Sequence, residues 1–259
     1  MASINTNYGA MIALQNLNAT SRDLNVTQNR VSTGLKVSSA KDNGAIFAIA
    51  TNQRAEMGAL DAVKQSQQRG QSLVDVALAA GETVVKALTE MKALAVAMTG
   101  GAAGEASYDA YKADYDALQT EIDNALAGAT FDGKNLFTEA GGVDVLINTA
   151  ATGNTYNVGF AAAVTATPAT ADAAGVDAAI TAFTANLATL GTQSKSLERQ
   201  VVFTGKMQDA LEAGIGNLVD ADLAKESARL TALQTKQQLG VQALSIANSS
   251  SSILLGLFR

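Results

Sequence analysis

Cysteine, histidine and tryptophan are absent from the 259 residues, and proline occurs once, at Pro168. The missing cysteines remove disulfides, thiolate metal sites and thiol nucleophiles. The missing histidines remove the common zinc ligand, so Ser-His-Asp and Cys-His catalysis are both excluded. No cofactor and no metal is expected, and the chain does not read as an enzyme. Aromatic residues make up only 5% of the chain, although 47% of it is hydrophobic. Much of that apolar content is alanine, mixed with Leu, Gln, Lys and Glu, which favours long helices packed side by side over a compact sandwich. Basic residues are in the minority, 18 against 24 acidic ones, and are scattered singly. No nucleic-acid partner is therefore expected. No run of eighteen apolar residues predicts membrane insertion. The opening MASINTNYGAMIALQNLN has neither a basic n-region nor an apolar h-region, so any export is expected to use a route other than a cleavable signal peptide.

What is present is a spacing of alternating threes and fours, repeated in five stretches. The first carries Ala10, Leu14, Leu17, Ser21, Leu24, Gln28, Val31 and Leu35 on one stripe. Its Asn and Thr residues are poor helix formers, so it should be weak alone. The second places Ile46, Ile49, Leu60, Val63, Val74, Ala77, Val84, Leu88, Met91 and Met98 in register. Its weak positions are Gln53, Glu56, Gln67, Gly70 and Gly81. GGAAGEAS at 100–107 breaks it, and Tyr108, Tyr111, Tyr115, Leu118, Ile122 and Ala125 repeat the spacing on a shorter helix. Between 129 and 174 the period changes. FDGKNLF, VDVLIN and TYNVGF read as short β-prone runs joined by Gly, Asn and Asp turns. The fourth stretch runs from Val176 through Phe183, Leu190, Leu197 and Thr204 to Leu218. The fifth follows Asp220, read as a helix-start residue, with Leu223, Leu230, Leu233, Leu244, Ala247 and Leu254.

The expected fold class is mainly α, a long antiparallel helical bundle or coiled coil with a small β-hairpin region. The expected segments are 1–35, a connector at 36–45, a helical pair at 46–128, the hairpin and a variable surface segment at 129–174, and helices at 175–218 and 219–259. For the middle helices a stripe means ordinary core packing. The terminal pair differs, because its stripes and the apolar SILLGLFR end would leave surface that a monomer should hide. The expected assembly interface is Leu14, Leu17, Leu24, Val31, Leu35, Leu223, Leu230, Leu233, Leu244, Leu254, Leu257 and Phe258.

The residues resemble bacterial flagellin. INTNYGAMIALQNLN from Ile4 to Asn18 is similar to that family's first helix, and LKVSSAKDNGAIFAIA from Leu35 to Ala50 to its connector. FDGKNLF and the final segment from Leu230 to Arg259 follow in the family's order. Asp42, Asn43 and Gly44 depart from the usual connector, as does Phe47, and the stretch before the fourth helix is too short for large outer domains. The resemblance implies a structural subunit polymerising into the flagellar filament for swimming motility. Segments 1–35 and 219–259 would form the inner core, and the rest the outer rod. It implies an extracellular location in the filament, and type III flagellar export. The implied partners are other copies, the export apparatus, the filament cap, hook-associated junction proteins and an export chaperone. The alternatives are a hook-filament junction protein or, in another class, a membrane-active secretion translocator. The latter is disfavoured because acidic residues interrupt any basic face.

Two further expectations rest on the resemblance. In family members sensed by the flagellin-recognising Toll-like receptor, an arginine-rich motif precedes a Leu-Ala-Val run. Here Leu94, Ala95 and Val96 match that run, while Glu90 replaces the leading arginine and Lys92 keeps a charge. Weak recognition is expected. Thr149, Thr152, Thr155, Thr165, Thr167 and Thr170 are candidate O-glycosylation sites, as in many flagellins.

Overall fold

In a computed structural model, residues 7–257 are described, with side chains for residues 7–249. Five helices and one hairpin follow in order: α1 (Tyr8–Thr33), α2 (Gly44–Met98), α3 (Ala106–Gly128), β1 (Val143–Leu146), β2 (Thr155–Val158), α4 (Ala173–Val219) and α5 (Leu223–Leu257). The strands pair antiparallel, Val143 opposite Val158 and Leu146 opposite Thr155. The chain divides into two compact units, Met1–Ala55 with Leu211–Arg259, and Glu56–Ala210; α2 and α4 contribute to both.

Side chains set the helix boundaries. Asn7 has extended backbone and its Oδ1 accepts from Ala10 N at 3.0 Å, satisfying an orphan donor at the start of α1. Gly34, at φ 72°, closes that helix in the left-handed conformation, its N–H bonding to the Arg30 carbonyl. The unusual Asp42-Asn43 pair has two jobs. Asp42 Oδ2 accepts from the amides and hydroxyls of both Ser38 and Ser39, and Asn43 Oδ1 accepts from Ile46 N to start α2. The bonds from Ser39 N, then those from Ser38, hold the Asp42 carboxyl below its ordinary range.

The start of α5 corrects the expectation for Asp220. Lys36 N and Val37 N donate to the Val219 carbonyl and Ala221 N to that of Gly34, which draws Asp220 into an extended bridge opposite Leu35. The cap is Asp222, whose Oδ1 accepts from Ala224 N and Lys225 N. Beside this crossing Val37, Ala50, Ile215 and Val219 form a small core. Phe47 packs on it half-buried, which gives that unusual residue a local role.

The larger unit holds most of the core. Val74, Val84, Leu88, Met91, Ile122, Phe137, Phe183, Leu190 and Leu197 are buried in one cluster. The Phe137 ring stacks on Phe183 and Phe160 at 5.7 and 6.1 Å between centroids. Gly70 and Gly81 lie on the buried stripe of α2 because neighbours come too close for a side chain. A Cβ at Gly70 would meet Val145 Cγ2 at 2.5 Å, and one at Gly81 would meet Leu187 Cδ2 at 2.2 Å. On α2 the register differs from expectation before residue 60: Ile49 and Glu56 face solvent, and Ala50 and Met57 turn inward beside Gln53. The stripe of α4, from Val176 to Leu218, is buried or half-buried at every expected position.

Candidate assembly surface

In the terminal unit α1 and α5 run antiparallel, with contacts spaced along their length. Asn7 Nδ2 donates to the Ala247 carbonyl at 2.7 Å, and Arg30 Nη1 bonds Glu226 Oε1 at 3.2 Å. Between these points a Cβ on Gly240 would stand 3.2 Å from Leu17 Cδ1, so the helices approach closely there. Thr20, Leu24 and Thr27 are buried on α1 and Glu226 and Leu233 on α5, while Leu17, Val31, Leu230 and Leu244 are half-buried. The inward positions on α1 are thus Leu17, Thr20, Leu24, Thr27 and Val31. Ser21, expected on the stripe, is half-buried beside them and its hydroxyl accepts from Gln237 Nε2 of α5 at 3.5 Å, while Gln28 is exposed and gives way to the adjacent Thr27. A threonine seats its methyl in the seam, while the Thr20 hydroxyl returns to the Asn16 carbonyl at 2.9 Å, so no donor is stranded.

Of the expected interface residues, Leu24 and Leu233 are therefore enclosed within one copy and Leu35 is half-buried beside the crossing. Leu14 and Leu223 are exposed, at 48% and 50%. The side chains of Leu254 and Leu257, and Phe258 altogether, lie outside the described residues. Periodicity did not single out a second set of outward residues. Tyr8, Met11, Ile12 and Val26 on α1 and Leu239, Val241 and Ile246 on α5 are exposed large apolar side chains. They are off the internal stripe, and the only signal for them was apolar character at positions where a two-helix hairpin should be polar.

Elsewhere the expected sites are spread apart. Glu90 is exposed on α2, Leu94 half-buried, and Lys92 pairs with Asp177 of α4 at 2.6 Å. All six candidate threonines are exposed. Thr149 bonds Glu56, Thr167 accepts from Gln119 at 3.3 Å, and Thr170 donates to Asp172 at 2.6 Å. Asp172 also accepts from Gly175 N as the cap of α4, and the Thr170 bond and then this one lower its carboxyl below the usual range. Among the described residues no group of three or more His, Cys, Asp or Glu side chains is arranged to hold a metal. By length and composition alone, α4 contains a window apolar enough to cross a bilayer, of mean hydropathy 1.2. Val176, Phe183, Leu190 and Leu197 of that helix are buried in the unit's own core.

Long helices, a core confined mainly to one unit and an apolar surface on the paired chain ends define a self-assembling helical subunit. The family description of the bacterial flagellin N-terminal helical region matches residues 4–141, and that of the C-terminal helical region residues 173–258. Flagellins FljO and FljK of Caulobacter vibrioides are 50% and 51% identical to the chain, each over 99% of it and 98% of the relative. A flagellin of Brucella melitensis is 35% identical over the full length of both chains. The chain belongs to the bacterial flagellin family, and it is a structural subunit of the flagellar filament. It is a short form without a large outer domain. Full-length agreement with flagellins sets aside the junction-protein and translocator alternatives.

Proposed function

We propose that the chain polymerises through the outward faces of the α1–α5 pair. Leu17, Leu24, Val31, Leu230, Leu233 and Leu244 hold the pair together, and Leu14, Leu223 and the apolar side chains around them meet neighbouring copies. The observation that carries this reading is the concentration of exposed Met11, Ile12, Leu14, Leu239, Val241 and Ile246 on two helices of one small unit. Covering large side chains of this kind is worth about 1.5–3 kcal/mol each. The sequence then ends in a further apolar cluster, Leu254, Leu255, Leu257 and Phe258. Removing Leu254–Arg259 should abolish polymerisation while Glu56–Ala210 keeps its thermal transition. Normal filaments from the truncated chain would refute the reading.

On this reading the chain works outside the cell, after unfolded passage through the type III flagellar export apparatus with a chaperone. The growing filament is bounded by a cap and by junction proteins. A terminal pair with a small core suits such passage, because its helices gain most of their burial only at the growing end. Glycosylation is assigned first to Thr152, Thr155 and Thr165, exposed residues whose hydroxyls make no hydrogen bond among the described residues; Thr149, Thr167 and Thr170 follow. A filament protein whose intact mass equals the sequence mass would dismiss it. Weak recognition by the flagellin-sensing receptor follows from Glu90 and from Lys92, whose charge is engaged by Asp177. A gain of reporter response in Glu90→Arg would support this. A full response to the parent monomer would sink it.

A further inference from the structure

Asn43-Gly44 is the one Asn-Gly pair in the chain, and the fold places it at the start of α2. Both residues are exposed. Glycine follows the asparagine with no Cβ to crowd the backbone, and a Cβ built there would meet nothing within 4 Å. Phe47 N donates to the Asn43 carbonyl at 2.9 Å as the first bond of the helix, so the Gly44 amide, at the first helical position, has no acceptor within α2. The Asn43 side chain reaches the same helix end, where its Oδ1 accepts from Ile46 N at 3.1 Å. The neighbouring Asp42 carboxylate is taken up by the amides and hydroxyls of Ser38 and Ser39. Within one turn the chain thus holds an amide carbon, a neighbouring backbone nitrogen left out of the helical bonding, and a donor on the amide oxygen.

We propose that Asn43 is a site of self-deamidation promoted by the N-terminus of α2. Once hydroxide has removed its proton, the Gly44 nitrogen attacks Asn43 Cγ and a new N–C bond forms. The negative charge passes to Oδ1, where the Ile46 N–H already donates and the helix end supplies roughly half a unit of positive charge. The Cγ–Nδ2 bond then breaks, the departing nitrogen takes a proton from water, and ammonia leaves behind a five-membered succinimide. Water opens that ring at either carbonyl to give aspartate or isoaspartate. One water is consumed, one ammonia is released, and nothing is oxidised or reduced. Aspartate at position 43 keeps the acceptor for Ile46 N and places a second carboxylate beside Asp42 at the helix start, where negative charge is favoured. Isoaspartate routes the backbone through the β-carbon and displaces the carbonyl that Phe47 N bonds, next to the small core around Val37. Asn52 is exposed as well, but it lies inside α2, where the following amide belongs to the helical ladder. Asn148 and Asn154 each precede a threonine, whose branched Cβ crowds the attacking nitrogen.

The full-length chain is held folded, and in parallel unfolded in urea, over a series of pH values from neutral upward, and is then cut with trypsin. Cleavage after Lys41 and Arg54 isolates Asp42–Arg54, whose mass and labelling by an isoaspartyl methyltransferase report both products. The folded chain should convert Asn43 about tenfold faster than the unfolded chain, a modest factor because the one donor is open to solvent, and the rate should rise with pH. Asn52, in the same peptide, should stay an amide. Gly44→Ala should slow conversion at least about tenfold by crowding the attacking nitrogen. That variant meets no neighbour and should melt no lower than the parent, which establishes that it is folded. Conversion in the folded chain no faster than in urea, or a Gly44→Ala rate equal to the parent's, would overturn the proposal.

Discussion

The two units of this chain solve the problem of burial in opposite ways. Glu56–Ala210 encloses large side chains from three helices and a hairpin, with Phe137, Phe183, Leu88, Met91 and Leu190 at most 1% exposed. The terminal unit encloses little beyond Leu24, Leu233 and the group around Val37, two of its buried seam residues are threonines, and it leaves much of its apolar surface outside. The first unit can be stable as a monomer because its own contacts offset the entropy of ordering the chain. On the proposed assembly, the second is completed by other copies. The apolar surface left exposed by one fold unit is, on that proposal, the means of assembly.

The largest expected difference is in hydrogen exchange on dilute monomer. Amides of α2 and α4 near Leu88 and Leu190 should exchange only by global opening, while those of Leu14–Val31 and Leu230–Leu244 exchange orders of magnitude faster. Equal protection in the two sets would break the comparison. Next, Phe137→Ala should cost about 3–5 kcal/mol, because a fully buried ring stacked on two others leaves a cavity. Chemical denaturation reads this directly, and Leu24→Ala should shift the same curve far less while weakening filaments. Asn135 ranks third. Its Nδ2 donates to the Leu126 and Ala127 carbonyls at 2.7 and 3.2 Å, and its Oδ1 accepts from Phe137 N at 2.9 Å. Asn135→Ala strands those buried groups and should cost about 2 kcal/mol.

A smaller effect is expected at the ion pair of the terminal unit. Arg30 and Glu226 are bonded, while Arg30 Nε and Glu226 Oε2 have no partner among the described residues. Glu226→Ala should loosen the α1–α5 pair by about 1 kcal/mol, discounted because the Arg30 side chain is 27% exposed. Arg30→Met with Glu226→Leu should recover it, as apolar replacement of a partly buried pair often does. Melting the three variants side by side decides the point. The smallest effect lies at Asp42. Its carboxyl titrates below its ordinary range in the folded chain, so its contribution is present above the unfolded value and is lost as pH falls through the folded one. Acidification below the carboxylate range, or Asp42→Asn, should speed exchange of the Ser38 and Ser39 amides and leave α2 unchanged.

The mainly helical class with its small hairpin was legible because a repeat of threes and fours survives along tens of residues, and because glycine, asparagine and aspartate interrupt it where the chain turns. From Val176 to Leu218 each striped residue is at least half-buried. Register was less legible. Ala50 and Thr27 sit one position from Ile49 and Gln28, and alanine or threonine gives too little apolar contrast to choose between neighbouring stripes. Asp220 and Asp222 have the same capping chemistry; the pairing of 34–37 with 219–221 selects between them. A carboxylate-rimmed groove between α2 and α3 was not legible at all, since Glu90 and Asp114 are 24 residues apart in the sequence and share a surface only when α3 folds back on α2. The sequence by itself determined which faces of each helix are apolar and that no histidine- or cysteine-based chemistry is available, because both follow from composition and local period. Only the tertiary structure decided which apolar faces are enclosed within one copy and which stay open, because that depends on which helices pair, and pairing is a property of the folded chain.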